Sequence, residues 1–126
     1  MSKRLTKSLL LLAALSIMSA FAFTEVLHWD QKEYDFGKII KDQPVTAIFT
    51  MTNNSADPLL ITSVKGSCGC TATNYDRDPI PVGATSSIEA TYNAKKLGVF
   101  KKTVTVATNQ SEKPITLTLT GEVVVE

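Results

Sequence analysis

Two cysteines stand one residue apart in Ser67-Cys68-Gly69-Cys70-Thr71, and the chain has no others. A paired thiol is the one strongly reactive group this sequence offers. In a fully extended strand, residues i and i+2 lie about 6.6 Å apart at Cα, at the upper end of the disulfide range. Their side chains share a face, and Gly69 can adopt turn geometries that bring the sulfurs together. The ring so closed is very small, and strained, exposed disulfides are the more oxidising and labile ones. Four uses stay open on spacing alone: a structural or idle pair, a redox-active pair, a soft-metal site such as Cu(I), and a mixed disulfide with a partner. Ser67, Gly69 and Thr71 complete the motif.

Other chemistry is scarce. His28 is the sole histidine, so a blue-copper centre with two histidines and a zinc site with several are both excluded. His28 remains a candidate third ligand beside Cys68 and Cys70. There is no Gly-x-Ser-x-Gly turn to carry a nucleophilic serine. Asp76-Arg77-Asp78 lacks the glycine and downstream glutamate of a calcium loop. Lys95, Lys96, Lys101 and Lys102 bracket a turn and fit a solvated, lysine-guarded edge. The alternative use of those lysines is contact with an anionic glycan or lipid. Asn53-Asn54-Ser55 and Asn109-Gln110-Ser111 match glycosylation acceptors but read as turns. No catalytic residue and no cofactor is expected.

The elements that must position the cysteines are strands. Short runs rich in Val, Ile, Thr and Phe recur, separated by Pro, Gly, Asn and Asp, the pattern of an all-β sandwich. Strands are expected over Val26–Trp29, Tyr34–Ile39, Val45–Asn53, Leu59–Val64 with a bulge, a cysteine segment running on to Tyr75, Thr85–Asn93, Phe100–Thr108 and from Ile115 onward. The strand count of about seven fits an immunoglobulin-like β-sandwich. Val45, Phe49, Met51, Ile61, Ile88, Tyr92, Val104, Val106, Leu117 and Leu119 form the expected core. Alternating threonines, Thr118 among them, are expected to face water, and Gly121 to mark a bend. Antibody-type domains clip their sheets with cysteines on two distant strands. The equivalent positions here are Phe49, Met51, Val104 and Val106, so the core is plain hydrocarbon.

Before the sandwich lies a targeting signature. Lys3, Arg4 and Lys7 precede the apolar run of residues 8–18, and Ala20-Phe21-Ala22 fits a signal peptidase site. Residues 1–22 read as a signal peptide and 23–126 as one domain. The apolar stretch is shorter than the roughly 20 residues of a spanning helix, so no stable membrane insertion is expected after cleavage. Phe23, not a cysteine, follows the cut, which argues against lipid attachment. Without the three basic residues of the leader, the net charge of +1 becomes about −2, which offers no electrostatic footprint for nucleic acid. The expected location is periplasmic or extracellular, where disulfides persist.

Phe36-Gly37-Lys38-Ile39, Asn53-Asn54, Leu59-Leu60-Ile61, Ser67 to Thr71, Pro81-Val82-Gly83, Gly98 to Val104 and Ile115 to Gly121 together resemble a family of secreted bacterial proteins, many from Bacteroidetes-type organisms, defined by a domain of unknown function. The resemblance covers nearly all of the chain after the leader. It implies an immunoglobulin-like fold similar to Hydin-type and major sperm protein-like sandwich domains, and it implies no particular activity. Two functions fit these observations. One is a non-enzymatic module that binds another exported or envelope protein. The other is thiol-redox or copper handling through Cys68-Gly69-Cys70. N-terminal sequencing of exported material is expected to begin at Phe23. A chain that keeps residues 1–22 in the membrane contradicts the assignment of the leader.

Overall fold

A computed structural model describes residues 26–126; the leader and its cleavage site lie outside the described residues. The chain forms eight strands and, among the described residues, no helix: β1 Leu27–Trp29, β2 Glu33–Ile40, β3 Val45–Asn53, β4 Ile61–Gly66, β5 Thr71–Tyr75, β6 Thr85–Tyr92, β7 Gly98–Thr108 and β8 Ser111–Val124. They make two four-stranded sheets, ordered β1-β3-β6-β5 and β2-β8-β7-β4. All pairings are antiparallel except β2 with β8. The immunoglobulin-like β-sandwich expected from the sequence is the fold observed, with eight strands.

Period-two patterning builds the interior. In β3, Ala47, Phe49 and Met51 are fully buried while Thr46 and Ile48 between them are exposed. Ile88, Ala90 and Tyr92 of β6, Val104 and Val106 of β7, and Leu117, Leu119 and Val123 of β8 complete the seam. Side chains of this size are each worth about 1.5–3 kcal/mol when fully buried. Every expected core residue is buried except Val45, which is half-buried at the start of β3. On the wet face, cross-strand hydroxyl pairs decorate the same ladder, with Thr46 Oγ1 2.8 Å from Thr91 Oγ1.

Of three sequence expectations, two change and one holds. The cysteine segment does not prolong the preceding strand: β4 lies in one sheet and β5 in the other, and the cysteines occupy the crossing. The bulge falls in β4 between Ile61 and Ser63, as the phase slip suggested. Thr118 does not face open water. It lies in β8 between Glu33 of β2 and Thr103 of β7, and these neighbours bury it.

Gly121, expected at a bend, lies inside a continuous β8 directly opposite Phe100. A Cβ there would sit 2.7 Å from the Phe100 ring and 2.9 Å from the Gly37 carbonyl. The glycine is needed for close approach, not for a turn. Gly37 supplies the complementary feature. Its φ of 67° lets β2 bulge between Asp35 and Lys38, and its N–H donates to Asp35 Oδ1 at 2.8 Å. An aromatic row then runs from Tyr34 through Phe36 to Phe100, which stacks on Tyr92 of the other sheet at 4.2 Å.

Leu117→Ala is expected to cost roughly 2–5 kcal/mol in chemical denaturation. Thr116→Ala, one residue away on the exposed face, should cost less than about 0.5 kcal/mol. Equal costs at the two sites contradict the strand phase.

Candidate functional site

The Cys68-Gly69-Cys70 turn joins β4 to β5 and so carries the chain from one sheet to the other. Backbone bonds pin it at both ends. Ser67 N–H donates to the Thr103 carbonyl of β7 at 2.8 Å, and Asn93 N–H, just past β6, donates to the Cys70 carbonyl at 3.0 Å. Ser67 Oγ accepts a further bond from Thr103 N–H at 3.2 Å. Thr71 N–H closes on the Cys68 carbonyl at 3.4 Å. The turn is therefore held by hydrogen bonds to β7 of one sheet and to the end of β6 in the other, in addition to the sulfurs.

Cys68 and Cys70 are joined as a disulfide, with Cα atoms 5.2 Å apart, closer than the extended spacing. Both residues are half-buried and Gly69 is exposed. Only Cys70 packs against the core cluster. The Thr71 hydroxyl reaches both sulfurs, 3.9 Å from Cys70 Sγ and 4.0 Å from Cys68 Sγ, and Thr71 itself is buried. Ser67 and Thr71 thus take part in the turn that the sequence motif marks.

Gly69 does not play the part expected of it. Its backbone is outside the left-handed region, and a Cβ there would meet nothing within 4 Å. The glycine in the tightest place at this turn is Gly66, where a Cβ would lie 3.0 Å from the Thr71 carbonyl oxygen and 3.2 Å from Thr71 Cβ. Gly66, Asn93 and Thr103 are the supporting residues that sequence reasoning missed. None carries reactive chemistry, and two of them act through their backbones, so spacing alone gives no sign of them.

The remaining candidates do not converge on the cysteines. His28 lies exposed on β1, at the opposite edge of the sheet from β5. It pairs with Thr52 near the far end of β3, whereas Cys70 abuts the β6 end that pairs with Val45. That placement removes it as a third ligand. No group of three or more metal-ligating side chains occurs among the described residues. Asp76 and Asp78 are exposed, and Asp78 N–H turns back to Asp76 Oδ1 at 3.4 Å. Lys95, Lys96 and Lys101 are exposed. A separate open groove of about 450 Å³ lies over the β2 bulge, lined by Gly37, Val99, Phe100 and Gly121 among others, with none of residues 67–71 in its wall.

Asn53 cannot serve as a glycan acceptor in the folded chain. It is fully buried, its amide donates to the Asp57 and Ile80 carbonyls at 3.0 Å each, and its Oδ1 accepts from Ser55 N–H and Ser55 Oγ.

The fold and the turn define a small immunoglobulin-like sandwich with a disulfide at a sheet crossing. Residues 27–123 match the family described as Protein of unknown function (DUF1573), and the chain belongs to that family. No curated protein matches the chain. Among solved structures it is similar to a protein of unknown function from Porphyromonas gingivalis W83, with TM-score 0.67 and 17% identity over 83% of this chain and 50% of that one. It is also similar to a PapD-like domain of human CEP192 (TM-score 0.61, 10% identity, 86% of this chain and 98% of that one). A third similarity is to the VesB protease of Vibrio cholerae (TM-score 0.62, 18% identity, 77% of this chain and 32% of that one). The chain thus spans half the length of the Porphyromonas protein and about a third of VesB. At these identities the likeness is one of fold.

Because the disulfide closes so short a loop, it restricts the unfolded chain little. Replacing both cysteines (Cys68→Ser with Cys70→Ser) is expected to lower stability by no more than about 1–2 kcal/mol. A loss of several kcal/mol would restore a structural role to the pair.

Proposed function

We propose that this protein is a non-enzymatic binding module that takes an extended segment of another exported or envelope protein along the free edge of β5. The observation that carries this is the state of the four sheet edges. Free edges are normally blunted by brevity, lysine, proline or bulges. β1 is three residues long. β2 is bulged and carries Lys38. β4 is bulged and carries Lys65. β5, Thr71-Ala72-Thr73-Asn74-Tyr75, has no lysine, proline or bulge.

Its outward backbone groups follow from the ladder. The Asn93 to Cys70 bond makes those two a hydrogen-bonded pair. By alternation Ala72 and Asn74 bond β6, while Thr73 and Tyr75 turn their N–H and C=O groups outward. An added strand would engage those groups, the mode in which main-chain bonds supply affinity and alternate side chains supply specificity. Against catalysis stands the absence, among the described residues, of a convergent nucleophile, base and orienter.

The test is affinity capture from envelope extracts, read together with amide exchange. Thr73→Pro removes one outward N–H without touching the bond to β6. It is expected to leave the thermal transition within a few degrees of wild type and to reduce capture at least tenfold. The Thr73 and Tyr75 amides should exchange fast in the free protein and become protected in the complex. Undiminished capture by Thr73→Pro, or fast exchange at both amides in the complex, rules out this edge.

A further inference from the structure

We infer that Cys68–Cys70 is an exchangeable disulfide that accepts two electrons from a protein dithiol, with the Thr71 hydroxyl stabilising the thiolate that leaves. The inference stands on the turn alone and does not depend on strand addition at β5.

Four observations converge. The turn is anchored by backbone bonds to β7 and to the end of β6, which do not involve the sulfurs. Cys68 and Cys70 are half-buried residues flanking an exposed Gly69, which adds no side chain across the approach, since even a Cβ there would meet open space. Cys70 packs against the apolar cluster and Cys68 does not, which makes Cys68 Sγ the accessible electrophile. Finally, Thr71 is buried with its hydroxyl against both sulfurs. A hydroxyl on a buried residue needs a partner, and among the described residues the side-chain hydrogen-bond partners of this one are the two sulfurs.

The step balances as follows. A thiolate of the incoming dithiol attacks Cys68 Sγ. The Cys68–Cys70 bond breaks, a mixed disulfide forms to Cys68, and the electron pair leaves on Cys70. That thiolate sits against hydrocarbon, where it is poorly solvated, and the Thr71 hydroxyl is placed to donate to it. The partner's second thiolate then attacks the mixed disulfide at its own sulfur. Cys68 departs as a thiolate, both cysteines take up protons from solvent, and the partner leaves as a disulfide. Leaving-group stabilisation controls the rate of such exchange, and a hydrogen bond to a charged group is among the stronger ones.

The experiment compares wild type, Thr71→Val and Thr71→Ser. Each oxidised protein is mixed with dithiothreitol and with a glutathione redox buffer, and reduction is followed by intact mass and thiol count while near-ultraviolet circular dichroism reports the fold. Wild type is expected to be reduced while folded. Thr71→Val, which keeps the shape but removes the hydroxyl, should react about tenfold more slowly, the scale of one lost hydrogen bond to a charge. Its reduced thiols should titrate at higher pH, and Thr71→Ser should restore both properties. A purely structural threonine would not move the thiol titration. Of the single variants, Cys70→Ser, which keeps the accessible thiol, should form a mixed disulfide with oxidised glutathione faster than Cys68→Ser. Reduction only on unfolding, or unchanged exchange and titration in Thr71→Val, overturns the proposal. Exchange in these assays with undiminished or absent capture at β5 separates this inference from the binding role.

Discussion

The interior that joins the two sheets is packed hydrocarbon. Phe49, Met51 and Ile88 of one sheet face Val104, Val106, Leu117 and Leu119 of the other, all fully or almost fully buried. Among the described residues no disulfide links the two sheets across this seam, because the one disulfide closes within a single turn. A sandwich stapled between sheets would have its cysteines committed to the core. Here the burial of large apolar side chains carries the association, so the cysteines are free to sit at the rim. The surface location of the sulfur chemistry thus follows from a core that does not need it.

The two ends of the sandwich are closed by different means. At the end where β3 finishes, Asn53 is buried among backbone groups that it satisfies completely. Its amide reaches the Asp57 and Ile80 carbonyls, its Oδ1 takes Ser55, and its own N–H and C=O bond Ala84 and Gly83. A fully paired buried polar group fixes one arrangement, since breaking any one bond leaves a desolvated partner. At the other end, beyond Tyr92, the chain crosses between sheets through Ser67 to Thr71, with the backbone equally well anchored but the sulfurs left at the surface. One end is locked around a buried asparagine side chain, and the other is held mainly through its backbone.

The sequence disclosed what alternation can disclose. β3 was legible to the residue, because Ala47, Phe49 and Met51 recur at every second position between Pro44 and the Asn53-Asn54 turn, with Ile48 the one apolar residue on the opposite face. The core followed from the same periodicity. What alternation cannot show is which sheet a strand joins. The chain between Ile61 and Tyr75 reads as one interrupted run, and only the pairing of β4 with β7 and β5 with β6 reveals the crossing. Lateral cover is equally invisible: Thr118 has the phase of a wet residue yet is buried by its strand neighbours. Glycine roles were the least legible. Gly69 stands out by its place between cysteines, whereas the tight contacts belong to Gly66 and Gly121, whose closeness to Thr71, and to Phe100 and Gly37, arises only from the fold.

The proposed strand addition and the proposed thiol exchange would meet on β5 without competing for atoms. Thr71 begins the strand, and its hydroxyl serves the sulfurs while its N–H is spent on the Cys68 carbonyl. The backbone groups available for pairing start two residues later, at Thr73. A segment laid along Thr73 and Tyr75 therefore ends beside the disulfide rather than over it. A thiol carried just past the end of such a segment would arrive at Cys68 already oriented, and raising local concentration in this way accelerates exchange without any new contact. The backbone edge and the sulfur pair are thus adjacent but chemically separable: proline at Thr73 acts on one, and valine at Thr71 on the other.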